Sequence, residues 1–138
     1  MNRILIDTMH LARLFKDNSY LELAEAINEG KIDATSSVIS LTELTKTLGM
    51  IDEKRMRRAV QDLISSRLIF VNVTRTIAMR AGDLRLRYDI PTVDSMIAAT
   101  GVVENIKHIL TSDTRHFEAT KNLIKPIDFR AAMRLVEK

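Results

Sequence analysis

Residues 3–8 read Arg3-Ile4-Leu5-Ile6-Asp7-Thr8. A short apolar run ends on a carboxylate, and a helical pattern follows it. Such a run is too short for a helix and suits a strand buried on both faces. Residues 109–113, Ile109-Leu110-Thr111-Ser112-Asp113, end in the same way. Buried strands of this kind, alternating with helices, define an α/β fold with a parallel sheet covered on both sides. Asp7 and Asp113 then stand at the carboxyl edge of that sheet, where open α/β folds place their ligands.

Strand and helix alternate outward from these two runs. Helices are predicted over 8–15 and 20–28, the second stopped near Gly30. A short strand is predicted over 35–39, and a helix over 41–48 ends at Gly49. Residues 52–66 form an amphipathic pattern with Met56, Ala59, Val60, Leu63 and Ile64 on one face. Further strands are expected over 68–73 and 123–127, and further helices over 77–88, 93–104, 116–119 and 129–136. The chain of 138 residues suits one domain, 1–138, with one core.

Glu43 and Asp94 each fall in the first turn of a predicted helix. Helices that start at the carboxyl edge of a parallel sheet point their N-termini at one crevice, so Asp7, Glu43, Asp94 and Asp113 are expected to meet there. Clustered carboxylates repel unless a cation neutralises them, and all-oxygen donors suit Mg²⁺ or Mn²⁺. Each acid also has a local explanation. Asp7 and Asp113 can cap the helices that follow them. Ser40 and Glu43 have capping-box spacing. Asp94 is favoured near a helix N-terminus by the helix dipole. Ordinary capping would use Ser and Asn as freely as carboxylates, so four acids at one edge speak for a ligand site.

Composition narrows the classes. Apolar residues make up 46% of the chain, ordinary for a globular protein, which speaks against a disordered chain. Aromatics are 4% with no Trp, so the core is aliphatic. Cysteine is absent, which removes disulfides and thiolate metal sites and fits a reducing, cytoplasmic setting. A strand expected near Met1 leaves no room for a signal peptide. No apolar run approaches the ~20 residues that span a bilayer. The net charge is +3, and setting aside four site carboxylates leaves a more basic surface, suited to a polyanion or simply solvated.

The segments Ile4-Leu5-Ile6-Asp7-Thr8, Ser36 to Leu44, Ile90-Pro91-Thr92-Val93-Asp94 to Thr100, and Ile109 to Asp113 with Phe117 resemble the PIN-domain ribonucleases. In size and spacing they are similar to the single-domain VapC-type toxins among them. The resemblance implies a three-layer α/β/α sandwich with a mainly parallel sheet. It implies metal-dependent hydrolysis of RNA phosphodiester bonds, with Asp7, Glu43, Asp94 and Asp113 at the family's catalytic acidic positions. The expected partners are RNA, a cognate antitoxin protein and a second copy of the chain. Asp7 and Asp94, flanking the central crevice, are assigned as direct metal ligands, while Glu43 and Asp113 serve equally well to orient waters. Thr8, Thr111 and Ser112 place hydroxyls nearby, for support of the site or for turn chemistry. Family members often carry a further acid where this chain has His116, which is read as a surface histidine. Met9-His10 stands where small polar or apolar residues are commoner.

Other chemistries lack their motifs. There is no Gly-rich phosphate loop with Gly-Lys-Ser/Thr and no Gly-x-Ser-x-Gly elbow. The three His have no zinc-ligand spacing. Lys54-Arg55-Met56-Arg57-Arg58 is the densest basic run, either a phosphate track or the solvated face of a helix. Arg85 and Arg87 are further candidates for RNA contact. A PIN fold that binds RNA or protein without cutting, and a metal-dependent nuclease acting on DNA, remain as alternatives.

Overall fold

A computed structural model of the chain describes residues 2–137, with Phe15 and Lys16 described by their backbone only. Five strands form one parallel sheet in the order β3-β2-β1-β4-β5. They are β1 (Arg3–Ile6), β2 (Asp33–Ser37), β3 (Ile69–Val71), β4 (His108–Leu110) and β5 (Lys125–Ile127). Eight α-helices connect and cover them: α1 (Thr8–Lys16), α2 (Leu21–Asn28), α3 (Ile39–Gly49), α4 (Glu53–Ser65), α5 (Arg75–Arg87), α6 (Thr92–Val103), α7 (Thr114–Glu118) and α8 (Phe129–Arg134). A 3₁₀ turn at Asn18–Tyr20 lies between α1 and α2.

Alternate side chains of β1 feed two cores, as the two-residue period of a strand requires. Ile4 and Ile6 join Leu11, Leu23, Leu44 and Leu63 on one face. Leu5 joins Ile77, Leu84, Ile97 and Phe117 on the other. The result is the expected three-layer α/β/α sandwich. Gly101 of α6 lets the helix pack close over β1, because a Cβ there would collide with Ile124 Cδ1 and press on Leu5 Cδ2 at 3.3 Å. Gly30 has a φ of 73° and closes α2, with Lys31 N–H donating to Ala26 O at 2.9 Å.

The strand order positions the site. The chain runs from β1 outward through β2 to β3, then returns to β4 on the opposite side of β1. The order reverses between β1 and β4, which opens a crevice beyond their carboxyl ends.

The crossovers leaving β1, β2 and β3 each carry a helix pair, as the predicted elements have it. Two expectations are corrected. The second strand spans Asp33–Ser37 rather than 35–39. Ser37 Oγ accepts the Ile39 N–H at 3.2 Å, turning the backbone into α3 two residues early. Ile64 lies outside the core, 52% exposed, while Met56 and Leu63 of the same helix are buried.

Candidate active site

Asp7 leaves the end of β1 with its N–H bonded to Leu110 O at 3.0 Å, so backbone pairing between β1 and β4 sets its position. Its side chain is buried. Oδ1 accepts the Thr8 N–H at 2.8 Å, and Oδ2 accepts the Thr111 hydroxyl at 2.8 Å. Burial pushes its pKa up, against the two hydrogen bonds, and the charges of Glu43 and Asp113 push it further. Capping and site membership therefore coincide in one residue.

Glu43 does not complete a capping box. Helix α3 begins at Ile39, so Ser40 is already helical. The Glu43 carboxylate instead turns toward α1, where Thr8 Oγ1 lies 2.6 Å from Oε1 and 2.9 Å from Ser40 Oγ. Thr8 has one hydroxyl proton. The shorter, charge-assisted contact takes it, and Ser40 donates to Thr8 in return.

Asp94 occupies the first turn of α6, where the helix N-terminus favours an anion. Burial and the neighbouring charges of Asp113 and Asp7 raise its pKa to about 6. Asp113 caps α7 through the His116 N–H at 3.3 Å. The same helical turn brings the His116 ring back over the site. His116 Nδ1 stands 2.7 Å from Asp113 Oδ2 and 2.7 Å from Asp94 Oδ2. Its pKa is raised, first by the hydrogen bond to Asp113 and then by the two carboxylate charges.

The four predicted acids thus share one cleft, of about 460 Å³, with Thr8 and Ser112 also on its wall. Thr111 lies just beneath, holding Asp7 with its proton and accepting the Asp113 N–H at 2.9 Å. Met9, which departs from the family pattern, and Thr47, for which the sequence carries no signal, complete the lining. His116, read as a surface histidine near the site, is partly exposed and reaches two of the site carboxylates. The three-residue spacing of Asp113 and His116 on a short helix was the available signal. Donor atoms of Asp94, Asp113 and His116 lie within 4.8 Å of one another, close enough to share a cation.

The basic run lies elsewhere. Lys54, Arg55, Arg57 and Arg58 are on α4, all four exposed, with Arg55 and Arg58 lining a groove and Arg57 paired to Glu53 at 3.9 Å. Arg85 donates from Nε to Ile90 O at 3.1 Å, bracing the approach to α6.

An acidic cleft at the switch point of a parallel α/β/α sandwich places the chain in the class of open α/β folds that carry a ligand site at the carboxyl edge of the sheet. Within that class the chain belongs to the PIN-domain family, whose model matches residues 4–123. No curated protein matches the chain in sequence. Among solved structures, it is similar to VapBC2 from Rickettsia felis bound to a promoter DNA fragment, at 19% identity and a TM-score of 0.75, over 91% of this chain and 98% of that one. DNA-bound VapBC from Salmonella typhimurium is 21% identical with a TM-score of 0.74, over 93% and 98%. VapC20 from Mycobacterium tuberculosis, a sarcin-ricin loop cleaving toxin, is 19% identical with a TM-score of 0.68, over 88% and 97%. At these identities the likeness is one of fold.

Proposed function

We propose that the protein is a Mg²⁺- or Mn²⁺-dependent endoribonuclease, acting as the toxin of a toxin–antitoxin pair in the cytoplasm. One observation carries the reading: Asp7, Glu43, Asp94 and Asp113, drawn from four separate segments, line one cleft. Membership of the PIN family and the VapC-like fold support it.

The donor set fits a hard divalent cation. It offers carboxylate oxygens, and the raised pKa values of Asp7 and Asp94 record burial and repulsion that a cation would relieve. A bound ion would polarise the phosphoryl oxygens and make a water molecule more acidic. The chain's own residues do the positioning. Thr111 holds Asp7 in one rotamer and Thr8 holds Glu43. Asp94 and Asp113 bind the ion only when ionised, so His116 must give up its shared proton or move aside as the site fills.

Two surfaces suit protein partners. Met50 and Ile51, at the turn between α3 and α4, are 79% and 70% exposed, and Ile51 opens onto a groove with Leu48, Met56 and Ala59. An antitoxin segment with apolar anchors would fit there. Met79 and Leu86, seven residues apart on α5, are also exposed, and a homodimer would cover them.

A second reading, a PIN module that binds without cutting, draws on His116, whose Nδ1 already bridges two of the carboxylates. Incubating the protein with RNA in Mn²⁺ and in EDTA separates the two. The nuclease reading expects metal-dependent fragments that Asp94→Asn abolishes and that single-stranded DNA of the same sequence does not yield. Intact RNA under all conditions supports the binding module, and cleavage of DNA alone redirects the substrate.

A further inference from the structure

A chain of polar side chains runs from the surface into the cleft without using any of the four acids. Arg13 Nη1 donates to Tyr20 Oη at 3.2 Å. Tyr20 Oη lies 2.6 Å from His10 Nδ1, and His10 Nε2 lies 2.9 Å from Ser112 Oγ. His10 and Tyr20 are each only 3% exposed. The ring of Tyr20 is stacked between Phe129, at 4.4 Å, and His10, at 5.6 Å, so neither ring is free to turn away.

The direction of this chain follows from its first member. A guanidinium can only donate, so Tyr20 accepts from Arg13. The buried Tyr20 proton then has His10 Nδ1 as its acceptor. With Nδ1 accepting, a neutral imidazole carries its proton on Nε2 and donates to Ser112. Burial holds the His10 pKa down to about 4, so the ring is neutral at pH 7. The opposite arrangement, with Nδ1 protonated, leaves the Tyr20 proton without an acceptor among the described residues. That is the costlier alternative for a buried hydroxyl.

Ser112 Oγ therefore accepts from His10, and its own proton is free. Among the described residues Ser112 Oγ has no second partner, and Ser112 lines the acidic cleft. We propose that Tyr20 and His10 are positioning residues that fix Ser112 as a hydrogen-bond donor into the cleft, for a non-bridging phosphate oxygen of the bound strand. The inference rests on the nuclease reading for its ligand, but not for the relay itself. A neutral donor serves this place well. It pulls a phosphate toward the carboxylates without pairing with them, as a lysine or arginine would.

Two measurements test it. ¹⁵N chemical shifts of the His10 ring in the full chain at pH 7 read the tautomer without substrate. The expected result is a protonated Nε2 and a bare Nδ1, with that preference lost in Tyr20→Phe, which keeps the stacked ring. A protonated Nδ1 in the wild type overturns the relay. The second measurement is the affinity of a short single-stranded RNA for the Asp94→Asn protein. Adding Ser112→Ala is expected to weaken it about tenfold, the loss of one hydrogen bond to a charged group. Adding Ser112→Thr is expected to restore it. In the active protein Ser112→Ala raises KM more than it lowers kcat, because the contact exists before the chemical step. Equal affinity with and without Ser112→Ala overturns the phosphate role. An Asp94→Asn protein that binds no RNA overturns that role together with the nuclease reading, while the tautomer result stands or falls by itself.

Discussion

Thr111 donates its hydroxyl proton to Asp7 Oδ2 at 2.8 Å, although 104 residues separate the two in sequence. The bond ties the end of β4 to the end of β1 at the point where the strand order reverses. It also opposes the effect of burial on Asp7, because a hydrogen bond to the carboxylate favours its charged form. The same Thr111 oxygen accepts the Asp113 N–H at 2.9 Å, so one hydroxyl orients two of the four acids.

Thr111→Val keeps the shape and removes both hydrogen bonds. The Asp7 pKa is expected to rise further, and Mn²⁺ affinity to fall about tenfold, the scale seen for groups that orient metal ligands. Carboxyl ¹³C titration and calorimetric metal titration measure these. An unchanged Asp7 titration would show that Thr111 contributes only turn structure.

Asp94→Asn removes one charge from a cluster of like charges. Without metal, the melting temperature is expected to rise, by about 4 °C per kcal/mol of relieved repulsion. RNA cleavage is expected to fall about 100-fold or more. Thermal melts and a cleavage time course on the same preparation test both. A variant that is destabilised and fully active contradicts the assignment.

The pH dependence has a definite sign. Asp94 titrates at about 6 in the folded chain, against 3.8 for the free group. Between those values the folded state holds a proton that the unfolded chain has released, so stability falls as pH rises through the window. The raised pKa of Asp7 acts in the same sense. The raised pKa of His116 adds stability that is complete below 6.5 and is lost as pH climbs through its folded value. The metal-free protein is therefore expected to lose stability from these groups as pH rises from about 3.8, the free Asp94 value, to above 6.5, the free His116 value. Stabilisation by Mn²⁺ is expected to grow over the same range, since the metal competes with those protons. Melting curves across that range, with Mn²⁺ and with EDTA, check both slopes. A Mn²⁺ effect independent of pH would place the ion elsewhere.

His116 puts an imidazole where family members often have another acid. Imidazole suits transition metals, whereas carboxylates suit Mg²⁺ as well. His116→Asp is expected to lower the preference for Mn²⁺ over Mg²⁺ several-fold, as read by competitive titration of the two ions. An unaltered ratio would leave His116 as a bridge between Asp94 and Asp113 and nothing more.

Replacing Lys54, Arg55, Arg57 and Arg58 with Ala distinguishes the two readings of the basic run. If α4 tracks the strand, the salt dependence of RNA binding flattens, by a log–log slope of about 0.7 for each phosphate no longer neutralised. If the run is a solvated face, in keeping with the exposure of all four side chains, affinity at fixed salt is unchanged. Filter binding across a salt series on the Asp94→Asn background decides.

The sequence by itself determined the layered fold and the four acids. Ile4-Leu5-Ile6 and Ile109-Leu110 can be buried on both faces only in a covered parallel sheet, and a carboxylate following such a strand lies at its carboxyl edge. These are local properties, set by period and position. The strand β2 was less legible, because Asp33-Ala34-Thr35-Ser36-Ser37 is mostly polar. Its burial rests on long-range bonds such as Ser36 Oγ to Ile6 O at 2.9 Å. Only the tertiary structure decided the direction of Glu43, which local spacing assigned to Ser40 and which Thr8 claims instead. It alone brought His116 between Asp94 and Asp113, and His10 between Tyr20 and Ser112. A polar side chain takes the partner that burial leaves within reach, and that partner depends on how distant segments pack.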